Sequence, residues 1–220
     1  MVQPTKQPLV LEKIFVELKG KELISIDETI APGEVLSVMG PSGSGKSSLL
    51  AYIAGFLDPA FKAGGRALLG ERVLTAIPAE ERRVGMLFQD PLLFPHMSVE
   101  ENLLFAVPQS VKNTSEREMR VAGALRTADL KDYGDRDPAT LSGGQQARIA
   151  LMRILLTEPG ALLLDEPFSK LDAKLKSQTR DFVFGEARKR DLPVLLVTHD
   201  MADAQEAGGK VFNLEGDEGK

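Results

Sequence analysis

A chain of 220 residues is long enough for one large domain, or for one core with an inserted subdomain. A formal net charge of −5, with 43% hydrophobic and 27% charged residues, fits an ordinary globular protein and argues against a general nucleic-acid binder, which carries a basic face. The absence of cysteine excludes a disulfide scaffold or a thiolate site and agrees with a reducing cytoplasm. The N-terminal MVQPTKQPLV lacks the apolar core of a signal peptide. No apolar run approaches bilayer-spanning length, so work at a membrane would proceed from one side, through a partner.

In chain order, LVLEKIFVELKGKELISIDETI (9–30) alternates apolar and polar residues and predicts antiparallel strands with one buried face. Pro32-Gly33 turns the chain into EVLSVMG, a short apolar run ending in glycine, as expected of a parallel strand buried on both faces. VGMLF (84–88), ALLL (161–164) and VLLV (194–197) repeat that pattern. Each leads to a polar residue: Gln89, Asp165 or Thr198-His199. Open α/β sheets bind ligands at the carboxyl ends of their strands, so these ends predict one shared site. From about 91 to 157 the pattern is helical. Ser98 and Glu101 have capping-box spacing, as do Ser142 and Gln145, and Ser115 to Ala128 predicts a further helix. The fold expected is an α/β core with a mixed sheet, an N-terminal antiparallel β-subdomain and an inserted α-helical subdomain. The boundaries are 1–90 and 158–220 for the core and 91–157 for the insertion.

GPSGSGKSS (40–48) matches G-x-x-x-x-G-K-[ST] between a buried strand and a helix, which is the context that motif requires. Gly40, Pro41, Ser42, Gly43, Ser44 and Gly45 form a loop whose backbone N–H groups can curl around phosphate oxygens. The following helix aims its dipole at the anion. Lys46 is expected on the β- and γ-phosphates, with Ser47 on Mg²⁺ and Ser48 completing the cradle. Alone, this loop says only that a nucleoside triphosphate is bound. Asp165 ends a buried strand and can hold Mg²⁺, while the adjacent Glu166 can accept a proton from an attacking water. A second carboxylate there favours hydrolysis over simple phosphoryl transfer; the alternative is a solvated strand-end turn. His199 is placed to bond the γ-phosphate and the attacking water, whereas His96 reads as structural or surface. The Gln89 amide can bond Mg²⁺ or that water.

Taken in order, GPSGSGKSS, Gln89, LSGGQQ (141–146), LLLDEP, SKLD (169–172) and His199 resemble the ATP-binding subunit of an ABC transporter over nearly the whole chain. LSGGQ is the most diagnostic motif, because other phosphate-loop enzymes lack it. The resemblance implies a single 1–220 ATPase domain that pairs head to tail with a second copy, hydrolysing ATP with Mg²⁺. Ser142, Gly143, Gly144 and Gln145 of one subunit would close over the γ-phosphate held by the other. Asp172 would lie at the dimer interface. The resemblance also implies a transmembrane permease docking near Gln89–Phe94, a separate solute-binding protein, no nucleic acid, and a peripheral position on the cytoplasmic face of the inner membrane. The alternative for Leu92, Leu93 and Phe94 is that they fill the insertion's own core. FQDPLLF and LLLDEPFSKLD are similar to compact thiamine-type importer subunits and to the YnjD-like group.

Two departures stand out. Members of this family stack an aromatic residue on adenine, at a position that falls near Leu18 or Lys19 here, with Phe15 too early; weak base selectivity is expected. No regulatory domain is expected after KVFNLEGDEGK. Competing classes are a soluble ABC ATPase, which usually has two such domains or a coiled-coil insertion, and a non-enzymatic nucleotide-binding module, against which Glu166 and His199 argue.

Overall fold

The computed structural model describes residues 7–214. The readings of the extreme N-terminus and of the end of KVFNLEGDEGK fall partly on residues 1–6 and 215–220, outside the described residues. The chain forms two compact units, one drawn from Met1–Met86, Gly160–Glu166 and Phe184–Lys220, the other from Leu87–Pro159 and Pro167–Val183.

The first unit opens with β1 (Leu9–Leu18) and β2 (Lys21–Ile30), paired antiparallel from Leu9–Ile30 to Leu18–Lys21. Leu9, Leu11, Ile14 and Val16 of β1 are fully buried. The alternation slips between Leu11 and Ile14 because a bulge intervenes, with Lys13 at φ 46°. Next come β3 (Val35–Met39), α1 (Lys46–Ala54), β4 (Phe61–Leu69) and the short β5 (Arg72–Val73). β4 lies antiparallel to β1, completing a sheet of order β2-β1-β4-β5.

A second sheet is built from β6 (Val84–Leu87), β7 (Ala161–Asp165), β8 (Val194–Thr198), β3 and β9 (Lys210–Asn213), in the order β6-β7-β8-β3-β9. β7, β8, β3 and β9 run parallel. Every residue of β3 and β8 is buried, as an apolar run predicts for a strand covered on both faces. VGMLF departs from that expectation: β6 is an edge strand, and its burial alternates along the strand. Leu49, Leu50 and Ile53 of α1 join Leu36, Val38, Leu163, Leu195 and Val197 in one core with the buried face of β1 and β2.

The second unit is helical: α2 (Val99–Ala106), α3 (Thr114–Thr127), α4 (Gly143–Leu156) and the first part of α5 (Ala173–Lys189). α2, α3 and α4 pack on one another and bury Val99, Leu103, Val121, Leu125 and Leu151. α3 starts one residue before Ser115, because Asn113 caps it by accepting the Glu116 N–H at 3.1 Å. Both expected capping boxes form, Ser98 with Glu101 and Ser142 with Gln145. The last helix, α6 (Met201–Ala207), belongs to the first unit. Among the described residues no helix is long and apolar enough to cross a membrane.

Candidate active site

Strand register builds the site in the first unit. Met39 pairs with Thr198, and Asp165 with Val197. The parallel strands β3, β7 and β8 thus end at one sheet edge, and the loops leaving them carry Gly40–Ser48, Glu166 and His199.

The phosphate loop leaves β3 and enters α1 through Gly45, whose φ of 87° suits glycine. A Cβ there would also meet the Leu23 Cβ at 2.8 Å. No side chain caps α1, and its first turn holds no acidic residue. Its free N–H groups and positive dipole end are therefore available to an anion. Pro41, Ser42 and Gly43 are exposed, Gly40, Ser44 and Ser48 half-buried. Lys46 is only 5% exposed, and its Nζ donates to the carbonyls of Gly40 at 2.8 Å and Pro41 at 2.7 Å. Burial lowers its pKa, opposed by the charges of Glu166 and Asp165. A cation folded onto its own loop's carbonyls is poised to exchange them for phosphate oxygens.

Ser47 Oγ donates to Asp165 Oδ1 at 2.9 Å. Burial raises the Asp165 carboxyl pKa above its ordinary value. The Ser47 hydrogen bond works against that, the Glu166 charge adds to it, and Lys46 opposes it. Among the described residues no group of three or more His, Asp or Glu side chains is arranged to hold a metal. A paired hydroxyl and carboxylate does fit Mg²⁺, which takes few protein ligands when phosphates and water complete its shell.

Glu166 has φ 46°, a backbone conformation that residues other than glycine rarely adopt. Its N–H is tied to the Val197 carbonyl at 2.9 Å. Such backbone strain concentrates at functional sites, where the surroundings over-determine it. The Glu166 side chain is largely shielded, and its Oε2 lies 3.1 Å from Nδ1 of the half-exposed His199. The two residues singled out as base and γ-phosphate partner therefore form a contacting pair.

Gln89, Ser142–Gln145 and Asp172 belong to the second unit. Gln89 is exposed. Ser142 caps α4: its Oγ accepts the Gln145 N–H at 3.4 Å, while Gln145 Oε1 accepts the Ser142 N–H at 2.9 Å. The first turn of α4 holds no acid. Gly143 is exposed and Gly144 buried; a Cβ on Gly144 would meet Thr179 Oγ1 at 3.2 Å and Leu175 Cδ2 at 3.4 Å. One glycine of the pair thus answers to packing against α5. Asp172 is exposed, and its Oδ1 accepts the Leu175 N–H at 3.0 Å.

The segment after Gln89 is more organised than its sequence suggests. Leu92 is 55% exposed and Phe105 65% exposed, whereas Phe94 is half-buried between the Phe105 edge at 5.1 Å and the Arg153 guanidinium at 4.9 Å. Phe94 therefore packs within the insertion, and Phe105, which the sequence did not single out, joins Leu92 at the surface. His96 is exposed, as read from the sequence, with its ring 6.0 Å from Phe94. Asn102, fully buried in α2, accepts the Phe94 N–H at 2.8 Å and donates to the carbonyls of Phe94, Met97 and Ser98. Arg153 donates to the Leu92 carbonyl at 2.9 Å. Neither residue carries a motif, so only the fold reveals them. In the first unit, Phe61 pairs in register with Leu18, putting an aromatic residue beside the position that the sequence left to aliphatic and lysine side chains.

A family model described as ABC transporter matches residues 23–169. The chain is 45% identical over 196 residues to YnjD of Escherichia coli (strain K12), described as an uncharacterized ABC transporter ATP-binding protein; the match covers 89% of this chain and 90% of that one. It is 37% identical over 210 residues to the spermidine/putrescine import ATP-binding protein PotA of Photobacterium profundum, covering 94% of this chain but only 56% of PotA. Among solved structures, cbiO1 from Clostridium perfringens, part of the ABC transporter complex cbiONQ, superposes with a TM-score of 0.82 at 27% identity, covering 94% of this chain and 84% of that one. The phosphate loop, the paired carboxylates and the capped LSGGQ helix are thus set in a chain that belongs to the ABC transporter family, as one of its ATP-binding, ATP-hydrolysing subunits.

Proposed function

We propose that the chain works as one ABC ATPase domain that pairs head to tail with a second copy and drives solute import through a separate membrane permease. The observation that carries this reading is the pairing at one sheet edge: Ser47 on Asp165 at 2.9 Å, and Glu166 beside His199 at 3.1 Å, around a phosphate loop that opens an uncapped helix.

In this reading ATP lies along Gly40–Ser48, with Lys46 leaving the Gly40 and Pro41 carbonyls for the β- and γ-phosphates. Ser47 and Asp165 would hold Mg²⁺, which would supply charge neutralisation at the phosphates. Glu166 takes a proton from the attacking water as general base. His199 orients Glu166 through its Nδ1 and offers its other ring nitrogen to the γ-phosphate. Ser142 and the backbone of Gly143, Gly144 and Gln145 contribute donors from the opposite subunit. The acid-free first turn of α4 suits that role, since a carboxylate there would repel the phosphate. Asp172 stands at the subunit interface.

ATP then acts as an adhesive between subunits, and its hydrolysis releases them; the permease reads this as two access states. Leu92 and Phe105 form the apolar surface that meets the permease beside Gln89, and a solute-binding protein delivers the cargo from outside. The chain sits peripherally on the cytoplasmic face of the inner membrane. Importer names among the relatives support this direction of transport.

Two measurements test the reading. Glu166→Gln is expected to retain ATP binding while losing hydrolysis by a factor of about 10² or more; hydrolysis at the parent rate would remove Glu166 from the role of base. Pull-down from detergent-solubilised native membranes is expected to recover a multi-span protein in stoichiometric amount. Recovery of the chain alone, or with soluble proteins, would favour a non-transport ABC ATPase.

A further inference from the structure

Only His199 and Asp200 separate the end of β8 from the start of α6. Two polar side chains are buried behind that short connection: Thr198 at 1% exposed and Asp203 at 2% exposed. Thr198 Oγ1 donates to Asp203 Oδ2 at 2.8 Å and accepts the Asp200 N–H at 3.0 Å. Asp200 in turn caps α6, its Oδ1 accepting the Ala202 N–H at 2.8 Å. A hydroxyl can rotate freely unless something claims its proton. The Asp203 carboxylate claims it, which turns the Thr198 lone pair toward Asp200. The backbone is therefore held on both sides of His199: by the β3 ladder through Thr198, and by the hydroxyl through Asp200. Burying a carboxylate is expensive, and an apolar side chain would pack there at lower cost.

We propose that Thr198 and Asp203 are positioning residues that fix the backbone around His199, so that its imidazole meets Glu166. This rests on the reading of His199 given above. The imidazole itself is 56% exposed, with little packing to hold it, so its placement depends on the backbone that carries it. Neither residue touches substrate in this assignment.

The test is a mutant cycle on the full chain, reading kcat and KM for Mg-ATP together with melting temperature. Thr198→Val keeps the shape and removes the hydroxyl. It is expected to lower kcat roughly 10- to 100-fold with KM nearly unchanged, the range seen when hydrogen-bond partners that orient metal-ligating histidines are removed. Thr198→Ser is expected to restore most of the rate. In a His199→Ala background, Thr198→Val is expected to add no further loss, because there is nothing left to position. Equal losses in both backgrounds, or no loss in either, would overturn the proposal. If Thr198→Val does not fold, the isosteric Asp203→Asn carries the same cycle with a smaller expected loss. His199→Ala at the parent rate would sink the reading of His199 itself. A His199→Ala loss with an additive Thr198→Val loss would sink the positioning role alone.

Discussion

Asn102→Ala separates two accounts of how the apolar surface after Gln89 is held. The amide oxygen accepts the Phe94 N–H, and the amide nitrogen faces three carbonyls, those of Phe94, Met97 and Ser98, at 3.1, 3.2 and 2.9 Å. That nitrogen has two protons, so at most three of these four backbone contacts act at full strength; Oδ1 also accepts from Arg153 at 3.3 Å. At about 0.5–1.5 kcal/mol net for each neutral bond, the amide contributes about 1.5–4.5 kcal/mol. Phe94 is only half-buried, so water can repair part of the loss. An expected cost of about 1.5–4 kcal/mol follows, or a fall in melting temperature of about 3–16 °C for a chain of this size. Ser98→Ala, which removes only the α2 cap, is the control and is expected to cost about 1 kcal/mol. Urea unfolding followed by circular dichroism gives the comparison, provided the slope with denaturant is unchanged. A cost for Asn102→Ala no greater than that of Ser98→Ala would refute the reasoning. The segment would then be held by Phe94 packing against Phe105 and Arg153, and Asn102 would be incidental.

Other expectations follow from the same geometry. Burial raises the Asp165 pKa, so its contribution to folding is fully present below the ordinary carboxylate pKa and is lost as pH rises through the raised value. Asp165→Asn, neutral throughout, is therefore expected to melt no lower than the parent near neutral pH, with any advantage shrinking as the medium becomes acidic. An advantage that grows toward acid would contradict the assigned cause. The ion pair of Lys170 with Asp90 is exposed at both ends, so Lys170→Ala is expected to change stability by less than about 1 kcal/mol; a larger loss by urea unfolding would mean the pair sits in a network. Leu92→Glu is expected to leave the melting temperature within a few degrees of the parent, because the side chain is already 55% exposed, yet to abolish co-purification with the membrane partner. Retained co-purification would place the docking surface elsewhere.

What the sequence disclosed was largely what is local in the chain. A capping box needs only Ser98 and Glu101, or Ser142 and Gln145, three positions apart, and both formed as read. Strand runs disclosed themselves because a strand covered on both faces can hold no polar side chain cheaply. β6 escaped that logic because an edge position is a property of the sheet, not of VGMLF. The phosphate loop was legible because phosphate binding restricts residue types at fixed spacing. By contrast, Asn102 looks like any polar residue within a helix, and its value lies in four backbone groups that only folding brings to it. Asp203 likewise reads as an ordinary acid in a polar helix, until β8 brings Thr198 against it. Gly144 shows the same limit: its near neighbours within the chain are Leu175 and Thr179, which no pattern in LSGGQQ discloses. A side chain that will touch a ligand is constrained by that ligand's chemistry and leaves a motif. A side chain that orients another is constrained by a neighbour distant in sequence, and any polar residue of suitable size can fill the part. The positioning residues around His199 and behind the segment after Gln89 therefore had to be found from distances and burial, and mutant cycles rather than sequence patterns will measure what they contribute.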